Sequence, residues 1–84
     1  MHCELCGRQV SLTRHHLIPK RTHRFGVIRA KYSKTELNSL IAYLCKACHR
    51  HVHRTIKERE LAVHFNSLDL LRTHPDINAF VDWL

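Results

Sequence analysis

The chain has 84 residues, room for one domain whose own apolar core is marginal, so a covalent or metal staple is expected. Lys and Arg number 14 against seven Asp and Glu, and the formal charge of +7 points to a polyanionic partner. No apolar run approaches the length that spans a bilayer, which argues against a membrane role.

In chain order, Cys3-Glu4-Leu5-Cys6-Gly7 reads as a C-x2-C knuckle with a glycine directly after its second cysteine. A short strand is expected to follow through Val10 and Leu12, and Arg14 to Ile18 read as extended. Pro19 keeps its predecessor out of the helical region, so His15 and His16 fall at the end of a strand with side chains on opposite faces. Lys20 to Lys34 shows no clean periodicity and is interrupted by Gly26, which predicts a long, basic, mobile loop. Leu40 to Leu44 is apolar enough for a second strand, and Cys45 to about Arg54 reads as a helix entered through the second knuckle, Cys45-Lys46-Ala47-Cys48. Beyond it, Thr55-Ile56-Lys57-Glu58 fits a capping box, Asn66-Ser67-Leu68-Asp69 fits one more loosely, and Pro75 suits the first turn of a helix. Three short helices are therefore expected, with Ile77, Phe80, Val81 and Leu84 forming a face that packs on Leu61, Phe65, Leu68 and Leu71.

Four cysteines in two matched pairs, far apart in sequence, suit a tetrahedral Zn²⁺ site closed by Cys3, Cys6, Cys45 and Cys48. Two disulfides are the competing use, but Met1-His2-Cys3 opens without a basic and apolar leader, and a reducing, cytoplasmic setting is expected. A mixed site in which His49 replaces one thiolate is the other rival. Positions four apart share a helix face, so His49 and His53 point together while His51 points elsewhere. If that helix crosses the strand pair, His15, His49 and His53 converge on a second ion and His16 is left to act on water. His2, His23, His51, His64 and His74 are assigned no special role. Arg14, Lys20, Arg21, Arg24, Arg29, Lys31 and Lys34 crowd the region around and after the histidine doublet, which favours phosphate contact over a merely solvated loop.

Cys3-Glu4-Leu5-Cys6-Gly7, His15-His16-Leu17-Ile18-Pro19, and Leu44-Cys45-Lys46-Ala47-Cys48-His49 with His53, taken in that order and spacing, resemble the zinc-knuckle form of the HNH endonucleases. The resemblance covers the chain to about residue 54 and implies an α+β fold, a small ββα-metal (His-Me finger) domain, with residues 55–84 as a helical cover. It implies a metal-dependent endonuclease that hydrolyses double-stranded DNA with weak sequence specificity, leaving 5′ phosphate and 3′ hydroxyl. His16 takes the place of the general base, His15, His49 and His53 those of the ligands to a catalytic divalent ion, and the cysteines hold a structural zinc. The family's middle asparagine is expected near Leu40; Asn38 is the nearest candidate to brace the loop between the strands, slightly upstream of that place.

Imidazole titrates near neutral pH without tuning, as a general base must. An all-imidazole triad suits Zn²⁺, Ni²⁺, Co²⁺ or Mn²⁺ better than Mg²⁺. The basic residues Arg14, Lys20, Arg21, Arg24, Arg29 and Lys31 would grip DNA phosphates with little reading of bases. The C-terminal helices either cover the nuclease motif or present a docking face, with Trp83 exposed, for a second copy or a larger partner. The alternative functions are a zinc-stabilised nucleic-acid-binding module without turnover and a zinc-ribbon adaptor. A purely structural second site has no need of a free histidine beside one of its ligands.

Overall fold

The computed structural model describes residues 1–84. Strand β1 (Leu12–His16) pairs antiparallel with β2 (Ile41–Cys45), and together they form a two-stranded sheet with His15 opposite Ala42 and His16 opposite Ile41. Helix α3 (Lys46–Thr55) leaves β2 directly and lies against the hairpin. The period-two alternation of the strands puts His15, Ala42 and Leu44 in the interior, where Cys48 and Val52 of α3 are also buried, and leaves Arg14 and Tyr43 in solvent. Cys45 ends the strand and caps the helix at once, its sulfur accepting from the Cys48 backbone N–H.

The first knuckle docks on the free edge of β2. The Glu4 N–H donates to the Tyr43 carbonyl at 3.0 Å, and the Tyr43 N–H donates to the Glu4 carboxylate at 2.7 Å. Gly7 takes a φ of +80°, which lets the chain turn back after Cys6 at no steric cost. Arg72 locks the far side by donating to the Glu4 carbonyl at 2.6 Å.

The segment expected to be a long mobile loop is ordered. It holds a 3₁₀ turn (Lys20–Arg24), helix α1 (Gly26–Lys31) and helix α2 (Lys34–Ser39). Each is shorter than two turns, so no hydrophobic period can build up in the sequence, yet Ile28 and Leu37 are buried with Ile18 and Ala62 in a small second core. Gly26 starts α1 rather than breaking a helix. The decisive local signal is Ser33-x-x-Glu36, a full capping box: Glu36 N–H donates to the Ser33 hydroxyl at 3.1 Å, and Ser33 N–H to the Glu36 carboxylate at 3.0 Å.

The three C-terminal helices are α4 (Glu58–His64), α5 (Leu68–Thr73) and α6 (Pro75–Trp83). Thr55 does not cap: it closes α3, and Lys57 precedes α4 without a side-chain cap. Ser67 caps α5 by accepting from the Leu70 N–H, and Pro75 opens α6 as its fixed φ allows. Leu61, Leu71 and Ile77 are buried in one cluster with Cys3, Leu44 and Val52, so residues 55–84 share the core of residues 1–54. Phe80 stacks on His51 with ring centroids 4.0 Å apart, and Trp83 is 78% exposed. No helix is long and apolar enough to cross a membrane.

Candidate functional site

Two groups of side chains able to hold a metal interleave along the chain and meet on helix α3. Cys3, Cys6, Cys45 and Cys48 bring their sulfurs within 4.8 Å of one another, and no disulfide joins them. The Cys6 and Cys45 sulfurs are 3.8 Å apart, close to the edge of a tetrahedron with Zn–S bonds of about 2.3 Å. The four thiols can therefore hold a structural metal such as zinc, and His49 takes no part in this set. Each knuckle already points a backbone N–H at a sulfur, Cys6 to Cys3 at 3.5 Å and Cys48 to Cys45 at 3.4 Å.

Arg8, which the sequence reading passed over, lays its guanidinium across two of these sulfurs, Nε at 3.4 Å from Cys6 and a terminal nitrogen at 3.3 Å from Cys45. Burial works against ionisation at Cys45, but the Cys48 N–H and Arg8 outweigh it and bring the thiol down to about 6. At Cys6, burial is likewise outweighed by the Arg8 backbone and side chain, and its thiol is lowered. Burial and the neighbouring sulfurs push Cys48 up, so a cation is needed to hold all four as thiolates.

The second group is His15, His49 and His53, whose ring nitrogens also lie within 4.8 Å of one another. The ring centroids stand 5.1 Å (His15–His49), 5.2 Å (His15–His53) and 4.9 Å (His49–His53) apart, three edges of a nearly regular triangle. His15 is fully buried, and neither ring nitrogen has a hydrogen-bond partner. An orphaned ring nitrogen in the interior costs roughly 1–3 kcal/mol unless something binds it, and a cation between the three rings would take up the one that carries the lone pair. Burial first, then the charges of His49 and His53, drive His15 down to about 3, so the ring is neutral and its lone pair is free.

Thr13 fixes the orientation of His49. It precedes His15 by two residues on the same strand face, a spacing from which its place could have been read. Its hydroxyl donates to the Leu44 carbonyl at 2.8 Å, which commits its one proton, so it accepts from the Nδ1–H of His49 at 2.7 Å. This assigns the Nδ1–H tautomer and leaves Nε2 of His49 as the ligating atom. Burial, followed by His53 and His16, lowers His49 as well.

His16, on the other face of β1, opens with His49 and His53 into a depression of about 250 Å³, ringed by Arg14, Lys20, Arg21 and Glu58. Burial, then Lys20 and Arg14, holds its imidazole below the ordinary value, which favours the neutral base. His23, assigned no role from sequence, stands 6.4 Å from His16 and donates from Nε2 to the Ile18 carbonyl at 2.7 Å. On the other side of His49 and His53, Lys46 and Arg50 line a second shallow depression of about 270 Å³ with Thr13. Sequence reasoning missed both cations, although their helical spacing from His49 and His53 would have placed them there.

The remaining expected residues separate. Arg14, Lys20 and Arg21 border the His16 depression, with Arg21 3.8 Å from Glu58. Arg24 and Arg29 line a different cavity, and Lys31 belongs to neither. Asn38 stands exposed on α2 and its side chain makes no hydrogen bond to the hairpin; the pairing of His16 with Ile41 leaves it three residues upstream of the strand register. The hairpin end is closed instead by the Leu17 N–H donating to the Leu40 carbonyl at 3.0 Å.

No protein-family model and no solved structure matches the chain. It is similar to the uncharacterized protein YisB of Bacillus subtilis (strain 168), 40% identical over 83 residues, a match that spans 98% of this chain and 71% of that protein. At that identity and coverage, the chain belongs to the YisB family.

Proposed function

We propose that the protein is a metal-dependent endonuclease of the HNH type, a ββα-metal domain that hydrolyses DNA phosphodiester bonds with His16 as general base. The observation that carries this reading is the pairing of His15 with His16. One histidine is buried with both nitrogens unpartnered against His49 and His53, and its neighbour faces an open basic depression that the same two helix residues border. The order strand, strand, helix, with one histidine doublet on the first strand and two ligands one turn apart on the helix, is what the resemblance to HNH nucleases requires.

His15, His49 and His53 would hold the catalytic divalent ion, and the cysteines a structural zinc. An ion bound by these imidazoles supplies neutralisation of charge on the scissile phosphate and on the departing oxygen. Arg14, Lys20 and Arg21 from one side, and Lys46 and Arg50 from the other, hold the phosphodiester backbone across the histidines. His16, kept neutral by burial and by its cationic neighbours, takes the proton from a water aligned with the phosphorus. One such site cuts one strand, so a single chain nicks.

The test is conversion of supercoiled plasmid to open-circle and linear forms over Mg²⁺, Mn²⁺, Ni²⁺, Co²⁺ and Zn²⁺, beside His16→Ala at matched zinc content. The expected result is metal-dependent nicking that falls by about 10²–10⁴-fold in the variant. Equal activity in both proteins would remove His16 as the base. No cleavage in either, with DNA still bound, would leave the non-catalytic binding module.

A further inference from the structure

A cavity of about 540 Å³, twice the size of the depression at His16, opens in the basic segment between the strands, and the proposed catalysis makes no use of it. His23 forms part of its wall, and the His23 ring is 6.4 Å from that of His16, so the cavity adjoins the proposed reaction site. Arg24, Arg29 and Lys34 line it, no carboxylate does, and none of the three is in an ion pair. The nearest acid in sequence, Glu36, is turned back onto the Ser33 N–H in the capping box. Positive charge here is therefore unneutralised.

The cavity also has a side built for more than phosphate. Tyr32 lines it with its ring half-buried and its hydroxyl accepting from the Asn66 amide at 3.3 Å, and that amide also donates to the Ala62 carbonyl at 2.8 Å. The ring is thus anchored before any ligand arrives. Buried Leu37 adds to the apolar wall, while the Ser33 hydroxyl proton and the Asn38 amide remain free to meet polar groups. A duplex presents phosphates on a convex surface with its bases stacked inside. Such a surface would touch the guanidiniums and leave the concave interior and the aromatic wall unfilled. A volume of about 540 Å³ is that of a small-molecule site, and an anchored aromatic ring beside cations is how single strands are held.

We propose that this cavity binds one unpaired nucleotide of a nucleic-acid strand, its phosphate held by Arg24, Arg29 and Lys34 and its base laid against Tyr32. The protein would then act beside single-stranded extensions or branches in preference to uninterrupted duplex. This inference rests on the proposed function in taking nucleic acid as the ligand.

Fluorescence anisotropy on the full zinc-loaded chain, with no second metal added, compares a blunt duplex with the same duplex carrying a short single-stranded extension. The extension is expected to tighten binding roughly tenfold, the worth of about one stacked base. Arg29→Gln with Lys34→Gln, both on the surface, should bring the two probes to equal affinity, and Tyr32→Ala should do so while Tyr32→Phe keeps the preference. Equal binding of both probes by the unaltered protein, or a preference untouched by the Arg29 and Lys34 changes, overturns the proposal. Plasmid nicking without the preference would retire the cavity and keep the nuclease. The preference without nicking would keep the cavity and retire the nuclease.

Discussion

Removing the metal from the four cysteines should cost this chain a large part of its stability. Cys6 and Cys45 are 39 residues apart in sequence, and an ion that bridges them binds the folded chain far better than the unfolded one, so its binding free energy adds to folding. The cost of closing a loop of this size, roughly 4 kcal/mol at 25 °C on the chain-entropy account of cross-links, sets a lower scale for that clamp. A domain of this length has a total stability of roughly 4–13 kcal/mol, so the clamp is worth a third or more of it. At about 4–8 °C per kcal/mol for a small domain, the midpoint of thermal unfolding should fall by roughly 15–30 °C. The measurement is a circular-dichroism melt before and after a strong chelator, with released zinc counted by a colorimetric dye, and the same melt on Cys45→Ser. His53→Ala is the control, since it removes an exposed ligand of the other group and should leave the melt and the tightly held zinc unchanged. A fall of less than about 5 °C on chelation, or a Cys45→Ser chain that keeps its zinc, would refute the reasoning.

Thr13→Val removes the acceptor that holds the His49 tautomer and should weaken metal binding at the histidines by about 10–100-fold without touching the cysteine-bound zinc, read by Co²⁺ titration in the visible. Arg8→Ala strips two sulfurs of their charge-assisted donors, so zinc should pass to a chelator faster than from the unaltered chain. The slope of log affinity for duplex DNA against log salt should drop by about one unit for Lys20→Gln and again for Lys46→Gln, since each cation borders the histidines from a different side. His15 has a folded value near 3 against an unfolded value of 6.5, so between these the unfolded chain binds more protons. The stability His15 contributes is complete above pH 6.5 and is lost as pH falls toward 3; urea midpoints across that range should decline, and less steeply in His15→Leu.

The parts of the site that follow from local periodicity could be read from the chain directly. Alternation along β1 separates His15 from His16, and the four-residue spacing of His49 and His53 puts them on one helix face. The matched knuckles declared the cysteine cluster for the same reason: their chemistry depends on spacing alone. What stayed hidden depends on long-range placement. Arg8 reaches Cys45 only because the knuckle docks on the Tyr43 edge of β2, and nothing in sequence announces that pairing. The 3₁₀ turn, α1 and α2 are too short to carry a period, and they are stabilised by burying Ile28 and Leu37 against Ile18 and Ala62, contacts made across the chain. The expected cap at Thr55 failed for the opposite reason: the helix before it runs on and takes that residue as its own last turn.

The cysteine group and the histidine group are mechanically one device, because they share helix α3. Cys45 caps α3 and Cys48 sits in its first turn, so an ion on the thiols fixes both where the helix starts and how it is rotated. His49 follows Cys48 directly and His53 lies one turn on. At about 100° per residue, a helix that began one residue late would swing both imidazoles away from His15. The buried side of α3, Cys48 and Val52, tolerates no such rotation while the thiols are bound. On the proposed function, cysteine substitutions should therefore abolish nicking even at temperatures where the chain stays folded. His16→Ala, by contrast, should abolish nicking with both metal sites filled. Loss of activity with the second ion lost marks the scaffold, and loss with that ion retained marks the base. The metal count, taken alongside the plasmid assay, tells them apart.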